Sequence, residues 1–506
     1  MPPHTAEQLA AVEALKQRVT SRAAANLASR QLLGFLGQFL VDSENQLIAL
    51  MNGTAPPAGG AIEFGMVLYW IDNDLPDDWF FNWLKRQFPR TQITQQMYSN
   101  WQTTWQTTGV IAPDGTMVAD GPFSQLDKGW LYASVLYVLW LYEEVPNAPI
   151  GQATPQIITL PNNPTLTVVL IGDWGSGSWD DCGTQGPATA IMQQVQALKP
   201  RPDIVIHLGD VYYAGTGHLS LAVNALMILL SGKTGRTYLP DEDTVRLVQK
   251  WWNPNPPQSF TLNSNHEMYS GANGYYYDAL GTSLFAAQKN SSYFALYYQD
   301  WAILGLDSAF YSNAFFNMQG ALQNPSDSTQ VTWVQGLDLK GKKVIALTHH
   351  TALTVDGLPI SGNQLYNDMH AALNNQDPDY WYWGHIHNGV VYNSNATMSS
   401  TGKTKTLCRC VGHAALPFGN AYYWKDGTRY NLGQSKCVDY YAHTPLSKPP
   451  KCPQWTYRVK NGFAVFTLSK GAIQEAFYEQ GNTTPVWTSM PRKLKKKKVK
   501  AKRAYK

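Results

Sequence analysis

Two continuous apolar runs flank a helical pattern in the middle of the chain, and this arrangement constrains the fold more than any other feature. The runs are residues 166–171 and 204–208, and apolar residues recur at helical spacing over residues 188–198 between them. Together they predict a βαβ unit whose two strands are parallel and buried on both faces. The residues that follow the two strands should therefore meet at one edge of the sheet.

A Gly-Asp pair follows each apolar run. Asp173 stands in the sequence Gly-Asp-Trp-Gly at 172–175, and Asp210 stands in Gly-Asp-Val-Tyr-Tyr at 209–213. Two carboxylates at close range repel each other and raise a pKa unless a cation lies between them. The arrangement therefore indicates a metal site, although a Gly-Asp pair after a strand is also typical of an ordinary turn.

Three further polar blocks follow predicted strands. They are Asn265-His266-Glu267, His349-His350 and the block Gly-His-Ile-His at 384–387, which supplies His385 and His387. Carboxylate, amide and imidazole groups bind first-row metal ions, and a shared carboxylate can bridge two of them. The number of such groups fits two metal ions.

These five blocks, in this order, resemble the signature of the purple acid phosphatases, a branch of the calcineurin-like metallophosphoesterases. The family patterns Gly-Asp-x-Gly, Gly-Asp-x-x-Tyr, Gly-Asn-His-Asp/Glu, Val-x-x-His and Gly-His-x-His correspond to residues 172–175, 209–213, 264–267, 346–349 and 384–387. Trp174 and Gly175 in the first block, together with Tyr213, point to the purple branch. The resemblance covers residues 166–480 and implies a four-layer α/β/β/α sandwich.

The resemblance also implies a role for each residue of the site. Asp173, Tyr213 and His387 would hold Fe(III), Asp210 would bridge the two ions, and Asn265, His349 and His385 would hold a divalent ion of Fe, Zn or Mn. Fe(III) acidifies bound water more than a divalent ion does, so hydroxide is the implied nucleophile. His266 would protonate the leaving alkoxide, and Glu267 would orient His266.

Some positions allow more than one interpretation. His350 could replace His349 as a ligand, contact the phosphate, or pack in the interior. His413 could reach the phosphate or lie in a loop. Ser264 stands where the family has glycine, and Ala346 stands where it has valine.

The chain divides into four predicted segments. Residues 1–145 form a helical, Trp-rich amino-terminal domain, 146–165 a proline-rich linker, 166–480 the metallophosphoesterase domain, and 481–506 a basic, disordered tail. Within the third segment, hairpins are predicted over 293–306 and 463–477, and strands over 344–347 and 380–383.

Charge and hydropathy bear on partners and location. Residues 492–506 hold ten of the 39 basic residues and no acidic one, so the remainder carries 29 basic against 36 acidic residues. The body is not typical of a nucleic-acid-binding protein, whereas the tail could bind nucleic acid or an anionic membrane. No apolar run approaches the roughly 20 residues of a transmembrane helix, and the amino terminus lacks the apolar segment of a signal peptide. We therefore expect a cytoplasmic protein.

The sequence as a whole predicts a binuclear-metal phosphoesterase, and acid phosphomonoesterase activity is the favoured form. A phosphodiesterase or nuclease is the alternative, because the metal core alone does not determine how many ester bonds the phosphate carries. A binding scaffold with a vestigial metal site is a second alternative, which is disfavoured because every ligand position is filled.

Overall fold

A computed structural model of the chain describes most of the residues from 153 onwards. The described ranges are 153–181, 183–217, 241–252, 258–312, 317–398, 405–415, 422–425, 428–446, 459–490 and 492–493, together with Phe123, Ala133, Leu136, Tyr137, Trp140 and Ala148. The predicted helical domain over 1–145 therefore lies outside the described residues apart from five single positions, and the tail from residue 494 lies outside them entirely.

The described residues contain nineteen strands. These are β1 (Gln156–Thr159), β2 (Leu166–Ile171), β3 (Asp180–Asp181), β4 (Thr184–Gln185), β5 (Ile204–His207), β6 (Gln258–Thr261), β7 (Phe294–Tyr298), β8 (Trp301–Gly305), β9 (Lys343–Leu347), β10 (Tyr380–Trp383), β11 (Gly389–Tyr392), β12 (Leu407–Val411), β13 (Tyr422–Lys425), β14 (Thr428–Asn431), β15 (Val438–Tyr441), β16 (Gly462–Ser469), β17 (Ala472–Glu479), β18 (Trp487–Thr488) and β19 (Arg492–Lys493).

The helices of the described residues are short. The α-helices are α1 (Pro187–Ala197), α2 (Asn265–Met268), α3 (Thr329–Gln335) and α4 (Gln364–Ala372), the π-helices are Asp243–Val248 and Gly274–Ala279, and the 3₁₀ turns are Ala286–Gln288 and Leu432–Gln434. Helix α1 begins at a proline, which suits the first helical position. It buries Ala188, Ile191, Met192 and Val195, which share one face at the spacing of an amphipathic helix.

Two large sheets organise these elements. The smaller has the strand order β18-β17-β16-β2-β5-β6, with β19 also paired to β17, and the larger has the order β1-β7-β8-β9-β10-β12-β11-β15. Strands β2, β5 and β6 are parallel to one another, and so are β8, β9, β10 and β12. The parallel βαβ unit predicted from the apolar runs is confirmed.

An apolar cluster joins the two sheets. It contains Val168 and Ile206 from the smaller sheet together with Ile303 and Leu347 from the larger one. A second cluster packs Ile191 of α1 against the opposite face of β2. Strand β2 is consequently buried at every position, as its unbroken apolar sequence predicts. The mixed α/β fold is confirmed, and the four-layer arrangement stays a prediction.

The hairpins are also confirmed, and further strands lie in the segments predicted as linker and tail. Strands β7 and β8 form one antiparallel pair and β16 and β17 another. The predicted linker over 146–165 contains β1, which pairs with β7 at the edge of the larger sheet, where the prolines flanking β1 are tolerated. Strands β18 and β19 lie in the segment predicted as the tail, and both pair with β17 of the smaller sheet.

Among the described residues, we find no helix with the length and hydrophobicity needed to cross a lipid bilayer.

Candidate metal centre

The predicted site residues lie where parallel strands of both sheets end. Asp173 and Asp210 follow β2 and β5, and Asn265 begins α2, just after β6. His349 follows β9, and His385 follows β10 of the other sheet. Within each sheet, the carboxyl ends of neighbouring parallel strands lie at the same edge. These edges of the two sheets lie close together, so all five residues meet there.

Four residues of the site have left-handed backbone conformations. The φ angles are 55° at Asp173, 74° at Asp210, 70° at His385 and 37° at His387. This region disfavours residues with a Cβ atom, and such strain is concentrated at functional sites. The sequence thus retains aspartate and histidine where glycine would fit the backbone more easily.

The first donor group consists of Asp173, Asp210 and His387. Their ligand atoms all lie within 4.8 Å of one another, and both carboxylates are fully buried. The Nε2 atom of His387 is 3.8 Å from Asp173 Oδ1 and 3.7 Å from Asp210 Oδ2. Glycine is required beside this group, since a Cβ atom on Gly412 would lie 2.5 Å from Asp173 Oδ2.

The second donor group consists of Asn265, His349 and His385. Asn265 Oδ1 is 2.9 Å from His349 Nε2 and 3.1 Å from His385 Nδ1, and these two nitrogens are 3.2 Å apart. His349 Nε2 also lies 3.1 Å from Asp210 Oδ1. Asp210 therefore touches both groups, the first through Oδ2 and the second through Oδ1.

The chemistry of these contacts fits bound metal ions. His349 Nδ1 donates its hydrogen to the carbonyl of Leu208 at 2.9 Å, which leaves a lone pair on Nε2. Asp210 Oδ1 is buried without a hydrogen-bond donor among the described residues. The lone pairs on His349 Nε2 and Asp210 Oδ1, whose atoms are 3.1 Å apart, repel each other unless a cation lies between them. Metal–ligand bonds of about 2.0–2.2 Å place neighbouring ligand atoms about 3 Å apart, which agrees with this distance.

The two carboxylates differ in their environments. Burial, followed by the charge of Asp210, raises the pKa of Asp173 well above its ordinary value. Burial would also raise the pKa of Asp210, but the positive charge that His349 and His266 carry when they are protonated brings that pKa well below its ordinary value. Asp210 is thus the carboxylate that is held in its charged form, which suits a bridge between two cations.

His266 and Glu267 lie in α2 beside the donor groups. His266 Nδ1 donates to the carbonyl of Tyr213 at 2.7 Å, and its Nε2 lies 3.9 Å from Asp210 Oδ2. Ser264 caps α2 by accepting a hydrogen bond from the backbone N–H of His266, and its hydroxyl donates to Glu267. The spacing of Ser264 and Glu267 is that of a capping box, so the serine that departs from the family pattern has a structural role.

His350 lies beside His349 and His385 of the second donor group, with both ring nitrogens occupied. Nε2 donates to the carbonyl of Asn317 at 2.8 Å, and Nδ1 is 3.0 Å from the Ser308 hydroxyl. Its ring is 4.6 Å from the ring of His385. Of the three interpretations of His350, these contacts favour packing, here against His385, since His349 is the histidine that faces Asp210.

Tyr212 and Tyr213 point in different directions. The Tyr212 hydroxyl lies 3.0 Å from Asp210 Oδ2, 3.4 Å from Asp173 Oδ1 and 3.3 Å from His387 Nε2. The Tyr213 hydroxyl instead accepts a hydrogen bond from the backbone N–H of Phe123. The structure therefore brings Tyr212 to the first donor group, whereas the motif spacing predicts Tyr213.

His413 and two of the cysteines, Cys408 and Cys410, lie in apolar surroundings. His413 is fully buried against Gly389 and Gly462, with no hydrogen-bond partner for its ring nitrogens among the described residues. Burial lowers its pKa to about 3. Cys408 and Cys410 lie in one hydrophobic cluster. These positions agree with packing.

Sequence reasoning missed two tyrosines of the site, Tyr212 and Tyr269. The Tyr269 hydroxyl accepts a hydrogen bond from Asn265 Nδ2 at 2.8 Å, which orients Oδ1 of Asn265 toward the histidines. A signal for Tyr269 was present, since it lies four residues after Asn265, the spacing at which helical side chains meet. Nothing in the sequence of the adjacent pair indicated that Tyr212, rather than Tyr213, would face the two carboxylates.

The mixed α/β sheets carry two groups of potential metal ligands at the carboxyl ends of their parallel strands. Residues 166–389 match the family model of the calcineurin-like phosphoesterases. The family generally depends on two metal ions, so the match supports a metal-dependent phosphoester hydrolase. None of the curated proteins compared with the chain matches it.

Several solved structures are similar to the chain. One is GAP50, described as the anchor in the inner membrane complex of Plasmodium, with 14% identity, a TM-score of 0.36, and coverage of 66% of this chain and 91% of GAP50. PhoD has 12% identity and a TM-score of 0.37 over 67% of this chain and 73% of its own. A conserved protein of Streptococcus pneumoniae, described as a phosphoesterase by prediction, has 8% identity and a TM-score of 0.24 over 65% and 98%. Likeness at this level does not bear on the activity of this chain.

Proposed function

We propose that this protein hydrolyses phosphate monoesters with a centre of two metal ions, Fe(III) and a divalent ion of Fe, Zn or Mn. The observation that carries the proposal is the pair of adjoining donor groups that share Asp210. Asp173 and His387 would hold one ion beside Tyr212 or Tyr213. Asn265, His349 and His385 would hold the other.

The metal ions would supply Lewis acidity, which polarises the phosphoester and activates water. The side chains supply the proton and its placement. Because Nδ1 of His266 donates to the Tyr213 carbonyl, Nε2 is the atom that faces the site. His266 in its protonated form would donate from Nε2 to the leaving oxygen, which becomes an alcohol.

The charge on His266 depends on its neighbours. Burial lowers the pKa of His266, and Asp210 acts against this shift. Burial, followed by the charge of Asp210, raises the pKa of Glu267. This carboxyl therefore favours its neutral form, and it places less negative charge near His266 than an ionised carboxylate would. We propose that Glu267 acts through the capping of α2, which fixes the backbone of His266.

A comparison of monoesters with diesters tests the proposed substrate class. Purified full-length protein should hydrolyse nitrophenyl phosphate and alkyl phosphates more rapidly at acidic than at neutral pH, with bis-nitrophenyl phosphate and DNA turned over far more slowly. Faster turnover of the diesters would instead assign the site to a phosphodiesterase or nuclease. Loss of metal without loss of any of these activities would contradict both assignments.

The colour of the iron-loaded protein tests the ferric centre. A tyrosine phenolate on Fe(III) should give a visible charge-transfer absorption band. The contacts of Tyr212 with Asp210 and His387 lead us to expect that Tyr212→Phe abolishes the band and that Tyr213→Phe retains it. The opposite result would restore Tyr213 as the ligand, and a colourless wild-type protein would contradict the ferric assignment while leaving the hydrolase intact.

A further inference from the structure

The part of the chain before residue 150 reaches the candidate metal centre at three described positions. Phe123 contacts the segment after β5, Tyr137 contacts the residue after α2, and the backbone N–H of Ala148 donates to the carbonyl of Gly271 at 2.8 Å. Phe123 is 3% exposed and Tyr137 is 2% exposed. These residues are thus packed into the domain that carries the site.

Phe123 lies directly against Tyr213. The two rings are stacked with their centroids 4.8 Å apart, and the Phe123 backbone N–H donates to the Tyr213 hydroxyl at 3.0 Å. The guanidinium of Arg246 covers both rings at about the same distance, 4.9 Å from Phe123 and 5.0 Å from Tyr213. Arg246 also donates to the carbonyl of Tyr212. Phe123 therefore completes the packing that fixes the backbone of Tyr212 and Tyr213.

Tyr137 packs against Tyr269, the tyrosine that follows α2. Its ring meets the ring of Tyr269 edge to face at 5.4 Å. The hydroxyl of Tyr269 accepts the hydrogen bond from Asn265, and its ring lies 4.9 Å from the ring of His266. Displacement of Tyr269 would therefore reach both a metal ligand and the proton donor.

His266 contacts both tyrosines. Its ring lies 4.9 Å from the ring of Tyr212 and 4.9 Å from the ring of Tyr269, and its Nδ1 donates to the Tyr213 carbonyl. Each of these three contacts is backed by Phe123 or Tyr137. A displacement of about 1 Å in a catalytic group can reduce a rate by about 10²-fold. Loss of Phe123 or Tyr137 would therefore reduce the rate if it allowed His266 to move by that distance.

We infer that Phe123 and Tyr137 are positioning residues for His266, so that the amino-terminal part of the chain completes the catalytic site. The inference rests on the proposed role of His266 as the proton donor. Proton donation matters most when the leaving oxygen is strongly basic. A misplaced His266 should therefore slow alkyl phosphates more than nitrophenyl phosphate, whereas a general loss of stability would slow both equally.

The test compares full-length Phe123→Ala and Tyr137→Ala with the wild type. The ratio of kcat/KM for nitrophenyl phosphate to kcat/KM for an alkyl phosphate should rise by about 10- to 100-fold in each variant, at unchanged metal content. Phe123→Tyr and Tyr137→Phe, which keep the rings, should restore the ratio. Tyr478→Ala removes a stacked ring on β17, where Tyr478 lies 5.1 Å from Phe463, and should leave the ratio unchanged.

The outcomes separate this inference from the proposed function. An unchanged ratio in Phe123→Ala and Tyr137→Ala, with a raised ratio in His266→Ala, would overturn the inference alone. A wild-type protein that hydrolyses no phosphoester would contradict the proposed function. If Phe123→Ala loses its metal, Phe123→Leu keeps apolar volume without the stacked ring, and an unchanged ratio in that variant would also overturn the inference.

Discussion

Replacement of His266 with alanine should slow the hydrolysis of alkyl phosphates by about 10² to 10⁴-fold, whereas nitrophenyl phosphate should lose far less. An alkoxide is too basic to leave without a proton, but nitrophenolate leaves readily. The Nε2 atom of His266 lies 3.9 Å from the shared carboxylate Asp210, where a proton could reach a leaving oxygen. Steady-state kinetics with the two substrates measure the difference.

His350→Ala is the matched control for His266→Ala. Both histidines are buried beside the proposed metal ligands, but the ring nitrogens of His350 are occupied by Asn317 and Ser308. We expect any loss in His350→Ala to be the same for both substrates. Equal losses for both substrates in a His266→Ala protein that retains its metal would exclude His266 as the acid.

Asp210→Asn should lower the turnover of every phosphoester by about 10³-fold or more and reduce the bound metal. The amide keeps the volume of Asp210 but cannot offer two anionic oxygens to both donor groups, and metal catalysis contributes several kcal/mol, at about 1.4 kcal/mol for each tenfold in rate. Metal analysis and kinetics on the same preparation test this expectation.

Asp368→Asn is the matched control for the bridging carboxylate. Asp368 is also buried, but it lies in α4 and accepts hydrogen bonds from the backbone N–H of Leu322 and from Gln323 and Gln364. This variant should lose stability while it keeps its metal and its turnover. Full metal content and activity in Asp210→Asn would contradict the assignment of Asp210 as the bridge.

The strands that position the site were predictable because their signal is local. Strand β2 has the predicted limits at residues 166 and 171, since an unbroken apolar run is typical of a strand buried on both faces. Strand β1 was missed because it has four residues, with alternating burial, at a sheet edge. Strands β18 and β19 have two residues each, and no periodicity can be read from segments of that length.

The structure brings the predicted residues together, but the directions in which their side chains point were not predictable. Asp173, Asp210 and His349 each follow a strand, and the order of the strands brings them together. The strands themselves could be recognised from their apolar runs. Which of two adjacent tyrosines turns toward the carboxylates depends on the backbone angles of one peptide, which the spacing of a motif does not record. The contacts of Phe123 and Tyr137 join residues far apart in the chain, and a single sequence carries no signal for such pairs.

Metal removal and restoration test the proposed metal-dependent hydrolase most directly. Full-length protein should contain two metal ions per chain, lose nitrophenyl phosphate hydrolysis when a chelator removes them, and regain it when iron and a divalent ion are returned. The donor groups that meet at Asp210 predict this stoichiometry. Hydrolysis that persists in metal-free protein, or metal-loaded protein with no phosphoesterase activity, would contradict it.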